Sequence, residues 1–187
     1  MKYTEDFAML ADNVEKVLIS EEEIVERCKE LGDQISRDYE GKDPIIIGLL
    51  KGSVPFMAEL IKYITIDCEL EFMAVSSYSG TESMGDVKIV KDLDRSIQGM
   101  DVLIVEDIVD TGKTLEKVKE LLYSKGANTV KVVALLDKPS RRIVDIEAEY
   151  VGFSIPNEFV IGFGLDFDQK YRNLPFVGVL KEECYKQ

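Results

Sequence analysis

The sequence predicts an α/β protein whose sheet is mostly parallel. Ile45-Ile46-Ile47-Gly48-Leu49-Leu50, Val102-Leu103-Ile104-Val105 and the run from Thr129 to Leu136 are short, apolar and rich in β-branched residues. Strands covered on both faces have this pattern. The first two runs pass through loops of small, basic or acidic residues into segments with helical spacing, as βαβ units require. Right-handed crossovers in such units place ligand sites at the carboxyl ends of the strands.

The 187 residues are read as one domain with a substantial core. A net charge of −13 argues against a broad electrostatic footprint on nucleic acid, so a phosphate ligand needs local donors, main-chain amides or metal ions. No apolar run reaches bilayer-spanning length and the N-terminal residues show no signal-peptide pattern, so neither a membrane nor a secreted protein is expected. Cys28, Cys68 and Cys184 are far apart and the chain has no histidine, which excludes a Cys/His zinc site and histidine acid–base chemistry. They read as reduced thiols of a cytoplasmic protein.

Taken in order, the first 20 residues give no clear signal. Ser20 followed by Glu23 is a capping box, and Ile24, Cys28, Leu31 and Ile35 mark the inner face of a helix to about Tyr39, ended by Gly41 to Pro44. After Lys51-Gly52-Ser53, a helix is expected from about Val54 to Tyr63, with Pro55 in its first turn and Phe56, Leu60 and Ile61 inward. From Glu69 to Ser77, Leu70, Phe72 and Ala74 alternate with Glu69, Glu71 and Met73, as in a strand. The polar stretch to Asp86 is long enough to be slack or a functional lid before Val87 to Val90 resumes a strand. Leu115, Val118 and Leu122 mark a helix from Thr114 to about Lys125 that stops at Gly126. Short strands are expected at 149–153, 159–163 and 176–180.

The chemistry concentrates in Glu106-Asp107-Ile108-Val109-Asp110-Thr111-Gly112-Lys113-Thr114. Three carboxylates at a strand end can hold hydroxyls or a metal. The Thr-Gly-Lys-Thr turn at a helix start offers free main-chain N–H groups and the positive end of the helix dipole to an anion. A sugar phosphate combines both needs. Ordinary capping by Asp110 or Thr111 remains an alternative. The ending Gly112-Lys113-Thr114 also matches a P-loop, but Asp107 stands where that loop needs its first glycine.

The same nine residues resemble the phosphoribosyl-pyrophosphate signature of the type I phosphoribosyltransferases. Further stretches resemble the branch acting on hypoxanthine and guanine, and the resemblance runs from about Ile45 to Leu180. It implies a mostly parallel five-stranded core sheet flanked by helices, with a small hood. The whole chain, 1–187, would be a single domain, its core about 40–150 and its hood from the N-terminal residues and about 150–187. It also implies purine salvage: Mg2+-dependent transfer of the phosphoribosyl group from phosphoribosyl pyrophosphate to N9 of a 6-oxopurine, releasing pyrophosphate.

The resemblance assigns roles residue by residue. Asp110 would be the general base opposite N7. Glu106 and Asp107 would hold the ribose hydroxyls directly or through metal, and Asp110, Thr111, Gly112, Lys113 and Thr114 the 5′-phosphate. Leu50, Lys51, Gly52 and Arg172 would hold pyrophosphate, with a cis peptide between Leu50 and Lys51 freeing an amide. Lys138 would donate to the exocyclic oxygen of the base, Phe159 would stack on it, and the Val160 main chain would read its edge. Asp166 would be a metal-linked carboxylate beside the base, and Ser77-Tyr78 would begin a mobile lid. Small-molecule partners only, neither nucleic acid nor membrane, are implied, together with a homodimer or homotetramer. Two rivals remain in view. A regulator sensing phosphoribosyl pyrophosphate would need a nucleic-acid-binding surface that this acidic chain does not offer. Xanthine specificity would turn on the backbone near Val160 and Asp166.

Overall fold

In the computed structural model, which describes residues 12–77 and 87–186, nine strands and three α-helices are arranged around two sheets. The strands are β1 (Val14–Ile19), β2 (Ile45–Leu49), β3 (Glu69–Ser77), β4 (Val87–Lys91), β5 (Asp101–Val109), β6 (Thr129–Asp137), β7 (Tyr150–Ser154), β8 (Val160–Ile161) and β9 (Val177–Leu180). The helices are α1 (Glu21–Asp38), α2 (Ser53–Leu60) and α3 (Lys113–Ser124).

The larger sheet has the order β4-β3-β2-β5-β6-β7. Its five strands from β3 to β7 in that order are parallel, and β4 closes the β3 edge antiparallel. The expected five-stranded parallel core is therefore present, with one added edge strand. Side-chain alternation along β5 divides the packing. Leu103 and Val105 meet Ile24, Leu31 and Ile35 of α1 and Phe56 and Leu60 of α2. Val102 and Ile104 meet Leu115, Val118 and Leu122 of α3 on the other face. Each such side chain, fully buried, contributes on the order of 1.5–3 kcal/mol. Helix α1 begins as expected: the Ser20 hydroxyl accepts from Glu23 N at 3.2 Å, and Ser20 N donates to the Glu23 carboxylate at 2.8 Å.

The smaller sheet, β1-β9-β8, is antiparallel. Its first strand lies in the stretch that gave no sequence signal, because Val-Glu-Lys-Val-Leu-Ile alternates on neither period and takes its strand form from pairing with β9. The strand expected at 159–163 is cut to Val160–Ile161. Gly162 (φ +95°) and Phe163 (φ +46°) turn the chain away there, and a Cβ on Gly162 would lie 2.1 Å from Phe176 O. In β3 the face is also corrected: Met73 is wholly buried and Leu70 is 49% exposed. Both faces of this strand are covered near its middle, so alternation did not mark the inner side. No helix among the described residues is long and apolar enough to cross a membrane.

Candidate active site

Three loops at the carboxyl ends of β2, β5 and β6 meet a fourth segment, 162–172, that leads out of β8. Strand β5 continues through Glu106 and Asp107 to Val109, so Asp110 and Thr111 lie in the turn. The N-cap of α3 is Gly112, at φ +85° and with no side-chain capping hydrogen bond. This decides the alternative left open by the sequence: neither Asp110 nor Thr111 serves as the cap. A Cβ on Gly112 would come within 2.5 Å of Ile146 Cγ2, so the turn needs glycine for both its conformation and its packing. Glu106, Asp110, Thr111, Gly112 and Thr114 line a cavity of about 140 Å³ at this helix start. The Lys113 side chain is exposed and outside that lining, leaving its main chain as the part at the turn.

Of the adjacent acid pair, Glu106 lines this cavity and Asp107 does not. Burial, and then the neighbouring Asp107 charge, raise the Glu106 carboxyl well above the usual range. Burial likewise pushes Asp107 up to about 6, although Ile108 N donates to its Oδ1 at 2.8 Å and the Arg172 charge favours its anion. Two carboxylates held against their own desolvation are poised for a cation or for hydroxyl donors.

The Leu50–Lys51 peptide is cis, as the resemblance implied. Gly52, the next residue, abuts the acids: a Cβ there would lie 1.7 Å from Asp107 Oδ2. On its other side, a Cβ on Gly164 (φ +101°) would lie 1.9 Å from Gly52 O. The β2 loop is therefore wedged between the β5 acids and the 162–172 turn. Within that turn Arg172 donates to Gly164 O at 2.6 Å and pairs with Asp166 Oδ1 at 2.7 Å. Gln169 N donates to Asp166 Oδ2 at 2.9 Å, and Lys51 Nζ reaches Gln169 Oε1 at 3.3 Å. Lys51, Asp166 and Arg172 thus share one cluster, joined by Gln169, a residue the sequence did not single out. Both Asp166 oxygens are engaged by these partners.

A second cavity, about 390 Å³, has Asp110, Lys138, Glu158, Phe159 and Val160 in its wall. Lys138 is buried, and its Nζ donates to Glu158 O at 2.7 Å. Burial lowers its pKa, while the Asp110 charge opposes that shift. Phe159, 37% exposed, stacks on Tyr185 at 4.8 Å between centroids and meets Phe167 edge-on. Asp166 does not line this cavity; Leu165 does. Arg141, at the end of the 3-10 turn Pro139–Arg141, and Tyr185 line it as well, and both escaped the sequence reading because neither segment has a distinctive pattern. Ser77 ends β3, and Tyr78, the second residue of the expected lid, lies outside the described residues.

Comparison with known proteins finds close relatives over nearly the whole chain. The family profile described as "Phosphoribosyl transferase domain" matches residues 18–168. A protein of Lactococcus lactis named hypoxanthine-guanine phosphoribosyltransferase is 60% identical over 175 residues, 93% of this chain and 95% of its own length. One of the same name from Streptococcus pyogenes is 54% identical over 180 residues, 96% of this chain and 100% of its own. The crystal structure of a hypoxanthine phosphoribosyltransferase from Staphylococcus aureus superposes with a TM-score of 0.92 at 52% identity, covering 96% of this chain and 98% of that one.

Proposed function

The chain belongs to the phosphoribosyltransferase family, and from that premise we propose that it is a hypoxanthine–guanine phosphoribosyltransferase of purine salvage. It transfers the 5-phosphoribosyl group of phosphoribosyl pyrophosphate to N9 of hypoxanthine or guanine, giving IMP or GMP and pyrophosphate. The observation that carries this reading is that Asp110 stands in the walls of both cavities. One is the size of a phosphate site and lies at a helix start; the other carries an aromatic, a buried lysine and room for a purine.

The proposal gives each group a role. The 5′-phosphate lies in the Asp110–Thr114 turn, held by main-chain N–H groups and the Thr111 and Thr114 hydroxyls. Glu106 and Asp107 accept from the ribose hydroxyls. Lys51, Gly52 and Arg172 hold the pyrophosphate, supported by the contact between Gly52 and Asp107. Lys138 turns from Glu158 O to O6 of the base. That donor selects oxo over amino purines, which would set donor against donor. Phe159 stacks on the ring and the Val160 main chain reads its edge. As N9 bonds to the anomeric carbon, the bond to the pyrophosphate oxygen breaks with its electron pair, and Asp110 accepts the purine proton at N7.

Magnesium is part of the same proposal. Glu106 and Asp107, both raised by burial, suit a divalent cation. Among the described residues no group of three or more His, Cys, Asp or Glu side chains could hold a metal. A small ligand set fits an ion that takes one or two carboxylates, waters and substrate oxygens. Asp166 would join a second such site by releasing Arg172. An ion held by these residues would supply positive charge that favours departure of pyrophosphate.

The working unit we propose is a single domain with the β1-β9-β8 sheet as its hood, assembled as a homodimer or homotetramer. We place it in the cytoplasm, a reading supported by the free cysteines Cys28, Cys68 and Cys184. An assay of hypoxanthine, guanine, xanthine, adenine and orotate, each with phosphoribosyl pyrophosphate and Mg2+, tests the function. Turnover with hypoxanthine or guanine is expected, and none with either overturns it. Light scattering tests the assembly.

A further inference from the structure

We infer that Arg141 is a positioning residue for Asp110, an inference that rests on the function proposed above. Arg141 Nε donates to Asp110 Oδ1 at 3.0 Å, whereas Oδ2 takes no hydrogen bond among the described residues. Both side chains line the 390 Å³ cavity. A carboxylate rotates about its terminal torsion with only a broad preference. Tying Oδ1 to a planar, permanently charged guanidinium leaves Oδ2 as the acceptor free to meet the purine. The side chains are 46% and 40% exposed, so the pair adds little to folding, and its use lies in orientation.

The surroundings support an orienting role. The turn that carries Arg141 is fastened to the Asp110 loop by main-chain bonds, Lys138 N to Val109 O at 3.0 Å and Ile143 N to Thr111 O at 3.2 Å. Arg142 donates to the Asp110 main-chain oxygen and to the Asp137 carboxylate. Lys138 adds its charge from the cavity floor, with Glu158 beside it. Of these cations, Arg141 makes the hydrogen bond to the carboxylate. The main-chain links and the Arg141 hydrogen bond hold the acid in register with the segment that carries Lys138, and a small displacement of the acid would be felt in the rate.

The test is a cycle of Arg141→Leu, Asp110→Asn and the double variant, with Arg141→Lys as the conservative control. Initial rates are read with hypoxanthine and phosphoribosyl pyrophosphate, and thermal melts are recorded for every protein. Arg141→Leu is expected to lower kcat by roughly three- to tenfold with KM for phosphoribosyl pyrophosphate unchanged. Arg141→Lys recovers most of the loss, and in the Asp110→Asn background removing Arg141 costs nothing further. The same loss in both backgrounds overturns the inference, as does an unchanged kcat or an effect confined to KM for phosphoribosyl pyrophosphate. If Arg141→Leu does not fold, Arg141→Lys and Arg141→Gln carry the same cycle. The unmodified enzyme is assayed first: its failure to use hypoxanthine or guanine overturns the function, and this inference with it.

Discussion

Replacing Gly52 by alanine tests whether the pyrophosphate loop and the ribose acids are one rigid unit. Gly52 has φ −63° and ψ −35°, open to any residue, so the cost of a side chain there is steric and not conformational. An added Cβ would lie 1.7 Å from Asp107 Oδ2 and 2.5 Å from its Cγ, whereas ordinary contact begins at 3.4 Å. The two groups must separate by about 1.7 Å. Asp107 cannot swing freely, because its Oδ1 accepts from Ile108 N at 2.8 Å. The Gly52 carbonyl has little room on the Gly164 side, where the two segments approach so closely that only glycine fits at 164. The displacement therefore falls on the reacting geometry, where a shift of about 1 Å costs on the order of 10²-fold, or about 2.7 kcal/mol of transition-state stabilisation. With hypoxanthine saturating and phosphoribosyl pyrophosphate varied, kcat/KM for the latter should fall about a hundredfold. The melting temperature should fall by several degrees, since overpacking of this kind costs about 1–3 kcal/mol, and the KM for hypoxanthine should change little. A folded Gly52→Ala enzyme with wild-type kcat/KM would refute the reasoning.

Three further changes probe the other parts of the site. Lys138→Met removes a charge-assisted hydrogen bond worth about 1.5–3 kcal/mol, so kcat/KM for hypoxanthine should drop roughly ten- to hundredfold and discrimination against adenine should weaken, both read from initial rates. Phe159→Leu removes a stacking surface worth about 1–3 kcal/mol, which should raise the KM for hypoxanthine and spare that for phosphoribosyl pyrophosphate; equal increases would count against the stacking role. In metal-free, substrate-free protein, Asp107 titrates at about 6 against 3.8 when unperturbed, so the folded state keeps a proton that the unfolded chain has lost. Stability from this group is full below about pH 4, falls as pH rises through 6, and by pH 7 is lower by on the order of 3 kcal/mol. Asp107→Asn should then raise the melting temperature at pH 7.5, lose that gain near pH 4, and abolish most activity; a lower melting temperature at pH 7.5 would contradict this.

How much of this was legible in the sequence depended on whether a feature is local. Strands β2, β5 and β6 could be read because each buries both faces and so leaves an apolar run, interrupted in β6 only by Lys131. Helix α1 announced itself through Ser20 and Glu23, whose reciprocal hydrogen bonds need only three residues of separation. The acids and the small-residue turn after β5 were visible for the same reason, since a strand end and a helix start lie within nine residues. A capping role for Asp110 stayed open until the structure placed Gly112 at the cap, because a cap and a ligand-facing acid look alike when only neighbours are known.

What stayed hidden is built from long-range contacts among ordinary residues. Arg141 reaches Asp110 across 31 positions and Lys51 reaches Gln169 across 118, and neither pair has a spacing that sequence could flag. Tyr185 meets Phe159 only because β8 and β9 pair and bring the C-terminal segment over the cavity. Strand β1 has no period of its own and exists through its register with β9. The division has a physical consequence. On the proposed function, the locally encoded residues carry the charges and donors that the reaction needs, while the long-range contacts hold those groups in place. Changing Arg141, Gln169 or Tyr185 should therefore alter rate and selectivity by degrees, whereas changing Asp110 or Lys138 should alter the chemistry itself.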